Sequence, residues 1–159
     1  MRWTGSRGSG GFEMEALLPR PGQRWRYAAM KIIYSPGAEI EFQFSCEPHT
    51  AAHKAAIDAI RNWPNLSDLV AFAESRHGYE NTDGYFGITY PGDLDDYERS
   101  NGNSIPDGYV EANAWYGASD GETHKLLESD YLELLRQFLS LKNHKEQVER
   151  IDKLLMKIA

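Results

Sequence analysis

Tyr109-Val110-Glu111-Ala112-Asn113-Ala114-Trp115-Tyr116, a turn, His124-Lys125-Leu126-Leu127-Glu128, then Ser129-Asp130-Tyr131-Leu132-Glu133-Leu134-Leu135-Arg136-Gln137-Phe138-Leu139-Ser140-Leu141: this stretch decides the fold. Side chains alternate along a strand. Val110, Ala112, Ala114 and Tyr116 therefore share one face, suited to a core. Tyr109, Glu111, Asn113 and Trp115 share the other, which mixes rings with polar groups and suits a half-wet surface. Gly117, Ser119, Asp120 and Gly121 are turn formers, so His124–Glu128 is expected to return as the second strand of a hairpin. Ser129 or Asp130 then caps a helix, with Asp130 and Glu133 at capping-box spacing. Tyr131, Leu134, Leu135 and Phe138 recur at the spacing of one helical face, which predicts a helix packed on the sheet.

Upstream, Lys31–Tyr34 and Glu39–Ser45 read as two strands around Ser35-Pro36-Gly37, the second alternating Ile40, Phe42 and Phe44 with Glu39, Glu41, Gln43 and Ser45. An antiparallel hairpin with one wet face follows. Thr50–Trp63 predicts a helix whose apolar side is mostly alanine: Ala52, Ala55, Ala56, Ala59, Ile60. Pro64 ends it. Ser67 opens a second helix, with Gly78 as its C-terminal cap. Asp83-Gly84 is a turn, and Tyr85–Tyr90 a strand. Residues 93–107 read as a long polar loop, and a loop of that length in a compact domain is usually functional or mobile. After Asn143, Val148, Ile151, Leu154, Leu155 and Ile158 mark a last helix that closes a C-terminal helical hairpin. The expected class is α+β: an antiparallel sheet of about five strands packed by about four helices.

The 159-residue length suits one domain, assigned to residues 30–159. Residues 1–29 are rich in Gly, Ser, Arg and Pro, with no sustained period. They read as a disordered basic arm, or as an extension upstream of a start at Met30. The single cysteine, Cys46, excludes an internal disulfide and a cysteine metal cluster, and reads as a small buried hydrophobe. No apolar run is long enough to span a bilayer, and no signal peptide opens the chain. A reducing cytoplasm is the expected home.

Charge is unevenly spread. The chain carries −7, but the arm holds five arginines against two glutamates, so residues 30–159 carry −10. Residues 79–130 hold twelve acids against Arg99 and Lys125, the whole of that excess. Tyr97 sits among these acids, and Trp115 lies on the wetter strand face. Clustered carboxylates steer a cationic partner, and exposed rings supply its anchors. Asp93, Asp95, Asp96, Tyr97, Glu98, Trp115, Asp120 and Glu122 are thus the candidate partner-binding residues. The competing reading is an acidic surface serving solubility alone. Nucleic acid is disfavoured, because its phosphates would be repelled.

Phosphate-binding, dinucleotide, zinc-protease and hydrolase-elbow motifs are absent from the sequence. Asp93-x-Asp95-x-Tyr97 begins like a calcium loop, but its third ligand and its glycine are wrong. His49 and His53 could share a helix face, yet two polar side chains facing water near a helix start explain them more simply than a metal pair. No catalytic residue, metal or cofactor is assigned. A small hydrolase with a cleft of Tyr, His and Asp stays open as an alternative, as does a regulatory module without chemistry.

The run Ile105–Gly117, followed after a turn by Leu126–Leu132, resembles small bacterial immunity proteins of polymorphic toxin systems, over less than a fifth of the chain. The resemblance implies a protein without enzymatic activity that binds and blocks a cognate toxin, often a cationic nuclease. The basic arm departs from that pattern.

Overall fold

The structure, a computed structural model, describes residues 30–39, 43–47, 49–81, 85–116 and 122–158, with the backbone alone at Glu122. The fold is α+β. In chain order its elements are β1 (Lys31–Tyr34), β2 (Phe44–Glu47), α1 (Ala51–Arg61), α2 (Leu66–Ser75), β3 (Tyr79–Glu80) and β4 (Phe86–Thr89). A 3-10 turn at Pro91–Asp93 leads to α3 (Asp96–Ser100), β5 (Tyr109–Ala114), β6 (Glu122–Leu127), α4 (Glu128–Leu141) and α5 (Lys145–Ile158). The strands form two antiparallel sheets, a β1-β2 hairpin and a β3-β4-β5-β6 meander. Among the described residues there are six strands in two sheets and five α-helices, close to the about five strands and about four helices expected.

The alternation along β5 sorts the four-stranded sheet into two faces. Val110, Ala112 and Ala114 are buried, while Tyr109, Glu111 and Asn113 are partly exposed. Helix α1 lies across the buried face. It turns Ala55, Ala56 and Ala59 inward, all buried, and alanine on both surfaces lets helix and sheet approach closely. Thr50 caps this helix through its hydroxyl, which accepts the His53 N–H at 3.1 Å. Helix α4 packs beside α1 and pairs with α5 as the expected hairpin, with Ile151 and Leu155 buried between them.

The β1-β2 hairpin rests against α4. Gln137 of α4 serves β1 as a substitute strand partner: its Oε1 accepts the Ile32 N–H at 2.7 Å, and its Nε2 donates to the Met30 carbonyl at 2.9 Å. β2 begins at Phe44, later than expected; residues 40–42 and the Asp83-Gly84 turn lie outside the described residues.

Several local expectations are corrected. The 93–107 segment is not irregular throughout, because Asp95 caps α3 within it. Asn65, not Ser67, caps α2, and its Oδ1 accepts the Ser67 N–H. Arg76, not Gly78, takes the left-handed C-terminal position, at φ 52°. Gly78 is needed for a different reason: a Cβ there would collide with the Ile88 carbonyl and the Asp93 carboxylate. Tyr116 is about half exposed, since β5 stops at Ala114. Finally, neither Ser129 nor Asp130 caps α4. β6 runs into the helix without a loop, Glu128 is its first residue, and the Glu128 N–H donates to the Gly108 carbonyl at 2.8 Å.

Tyr90 shows a cost inside this core. Its ring is 1 % exposed, and its hydroxyl has no hydrogen-bond partner among the described residues. Burying an unsatisfied hydroxyl costs about 1–3 kcal/mol. Tyr90→Phe, which keeps the ring, should therefore raise stability by about 1 kcal/mol, read as a shift of the urea midpoint at unchanged slope. An equal loss would show that the hydroxyl is satisfied.

Candidate functional site

The second face of the four-stranded sheet is polar. Its cross-strand rows run Glu80–Gly87–Asn113–Thr123 and Thr89–Glu111–Lys125. The segment from Leu94 to Ile105 stands over this face, enclosing with it a cleft of about 460 Å³ whose lining includes Glu80, Glu98, Glu111, Asn113, Ser104 and Lys125. Three carboxylates face one ammonium group. Lys125 Nζ sits 3.4 Å from Glu111 Oε2, and Glu80 has no base beside it among the described residues. The cleft is concave, wet and negative.

The wall is built by its own acids. Asp95 and Glu98 cap α3 reciprocally: Asp95 Oδ1 accepts the Glu98 N–H at 2.8 Å, and Glu98 Oε2 accepts the Asp95 N–H at 3.0 Å. Asp93 is further committed. Its Oδ2 accepts the Tyr90 and Gly78 N–H groups at 2.7 and 2.9 Å, and its Oδ1 lies 3.2 Å from His77 Nδ1. Asp93 therefore ties the end of β4 to the start of β3. Asp96 is fully exposed, with Arg99 3.4 Å away. Tyr97 beside it is 75 % exposed, an unusual exposure for so large a ring.

The other candidates lie elsewhere. Trp115 is half-buried and stacks on Tyr85, centroids 4.6 Å apart. It follows Ala114, which pairs with Phe86 at the first end of β4, while the 91–98 segment leaves the last end. Neither ring lines the cleft; of the sequence-derived candidates, Glu98 does. Glu122 pairs with Ala114 through its backbone, and Asp120 lies outside the described residues. Glu80, Glu111 and Asn113 were missing from the sequence-derived set. The signal for the last two was the period of β5, which already placed them on the wet face.

A second polar cluster lies inside. His53, expected at the surface, is 3 % exposed. Its Nδ1 is 2.6 Å from Thr50 Oγ1 and its Nε2 3.2 Å from Asp130 Oδ2. Hydroxyl, imidazole and carboxylate in line resemble a proton relay. Yet Asp130 is also buried, so no substrate reaches the imidazole–carboxylate pair, and the chain of bonds ties α1 to α4. Cys46 is buried, and burial first, then the nearby Asp130 carboxylate, pushes its thiol up to about 12. It is held as an unreactive thiol. Asp58, buried on α1, collects Lys54 at 3.0 Å, Arg61 at 3.3 Å and the Tyr116 hydroxyl at 2.5 Å. Among the described residues no cluster of three or more His, Cys, Asp or Glu side chains could hold a metal ion, and no helix is long and apolar enough to cross a membrane.

No protein-family model, curated protein or solved structure matches this chain.

Two outcomes follow from the buried acids. Asp130→Ala leaves the buried His53 Nε2 without its hydrogen-bond partner and should cost about 1–3 kcal/mol of stability, measured by denaturation. Glu128 differs. Burial holds its carboxyl above the ordinary value of 4.5, opposed by the Arg76 guanidinium at 3.1 Å. The folded protein thus binds this proton more tightly than the unfolded chain. The stabilisation is complete below 4.5 and is lost as pH rises through the raised folded value. Glu128→Gln should remove that component, so the wild type should lose stability relative to the variant between acid and neutral pH.

Proposed function

We propose that this chain is a protein-binding domain that receives a positively charged protein on the open face of its four-stranded sheet. Its role, in this reading, is that of an immunity protein neutralising a cognate basic toxin. One observation carries the reading: the polar face of the sheet forms a negative cleft, and Tyr97 stands nearly free beside Asp96 on the short helix that walls it. A cleft with low-dielectric walls focuses the potential of its carboxylates and speeds the approach of a cation. An exposed tyrosine gives up little conformational freedom on binding and supplies a large contact area. The reading also accords with the resemblance of residues 105–132, a span that contributes Glu111, Asn113 and Lys125 to the cleft.

The first partner to test is the protein encoded by the neighbouring reading frame. Calorimetric titration at low and high salt should show binding that weakens as salt rises. The triple variant Glu80→Gln, Glu98→Gln and Glu111→Gln should raise Kd by at least about tenfold and flatten the salt dependence. Gln at 98 still serves the α3 cap, so the wall stays in place. Tyr97→Ala should cost about 2 kcal/mol, near thirtyfold in Kd. Binding that is unchanged in all these variants would dismiss the site.

A further inference from the structure

On the helical side of the molecule, remote from the acidic cleft, lies a second cavity of about 460 Å³. It opens where the ends of α1 and α4 meet β2 and the link between α1 and α2. Its apolar part includes Phe44, Trp63 and Phe138 beside Ile60, Pro64 and Leu66, with Arg61, Lys142 and His144 among its polar residues. No Asp or Glu lines it. In a domain at −10, a cavity lined by an arginine, a lysine and a histidine and by no acid is an electrostatic exception.

Arg61 and Lys142 also sit at the carbonyl ends of α1 and α4, where cations offset the helix dipole. The rings pack on the core from this side, Phe44 on Phe138 at 4.8 Å and Trp63 on Tyr79 at 5.2 Å, and their outer surfaces line the cavity. The dipole role leaves out His144, which lies beyond α4. Arg61 is steered by Asp58 at 3.3 Å, whereas Lys142 and His144 have no carboxylate partner among the described residues. A volume of this size is in the range of small-molecule sites, which are mostly apolar with a few placed polar groups. It is too small to seat a folded partner.

We propose that this cavity binds a small amphipathic carboxylate, its apolar body against Phe44, Trp63 and Phe138 and its carboxylate at Lys142, with Arg61 and His144 beside it. The site is independent of the acidic cleft and of the partner proposed for it.

The test uses three probes of one chain length, octanoate, octan-1-ol and octylamine, titrated into the full chain and followed by amide and indole NMR shifts. Trp63 is a built-in reporter, since its Nε1–H donates to Asp68 at 3.3 Å. Octanoate should shift the Trp63 indole and the amides of Lys142 and His144, and should bind about tenfold tighter than octan-1-ol, with octylamine weakest. Lys142→Gln should erase most of that preference and leave the alcohol's affinity unchanged. Lys142 is exposed, so the variant is expected to fold. Lack of octanoate binding at millimolar concentration, equal affinity for the three probes, shifts confined to another surface, or a preference unmoved by Lys142→Gln would each overturn the proposal. A purely helix-capping Lys142 predicts the last of these, with only the melting temperature lowered.

Discussion

The close approach of α1 to β5 governs this molecule. Ala55, Ala56 and Ala59 meet a strand face of Val110, Ala112 and Ala114, and none of these side chains is long enough to hold helix and sheet apart. Packed interiors tolerate few voids, so the surrounding elements are drawn in as well. α4 comes near enough for Asp130 to find His53, and the β1-β2 hairpin near enough for Gln137 to pair with its backbone. With one face of the sheet so fully covered, the other is left to water and to whatever binds there.

The polar groups drawn inside are accommodated rather than excluded. Each buried acid on the helical side has a named cation or donor: Asp58 takes Lys54, Arg61 and Tyr116, Glu128 takes Arg76, and Asp130 faces His53. Buried charges without partners would be expensive. The acids on the open face are treated differently. Asp95 and Glu98 spend part of their hydrogen-bonding capacity on a helix cap, Glu111 meets Lys125, and Asp96 projects into solvent. The −10 carried by residues 79–130 is therefore not one uniform patch. Asp130 and Glu128 belong to the core, Asp93 to a turn, and the remainder of the described acids to surfaces such as the cleft.

Periodicity made much of this architecture legible. The alternation from Val110 to Ala114 and the helical spacing of α1, α4 and α5 reflect burial on one side, a signal written in single residues. What stayed hidden depends on distance. Nothing local to Asp130 tells that it turns inward to His53 rather than capping its helix, because that choice is made by β6 entering α4 with no loop. Gly78 looked like a helix cap, yet its role is set by the Asp93 carboxylate, fifteen positions away. In the candidate site, Tyr97 and the wet face of β5 were readable. The cleft itself was not, since it exists only once Leu94–Ile105 folds over strands from both sides in sequence.

The passage from Leu127 directly into Glu128 has a mechanical consequence. Strand and helix share no slack residue, and the bond from Glu128 to Gly108 fastens that junction to the strand beside it. A guest pressing on the wet side of the sheet meets a braced floor, backed by α1 and buttressed by the terminal helices. In the proposed binding role, little chain freedom at that junction would be surrendered on contact, sparing association much of the ordering penalty that pliant receptors incur.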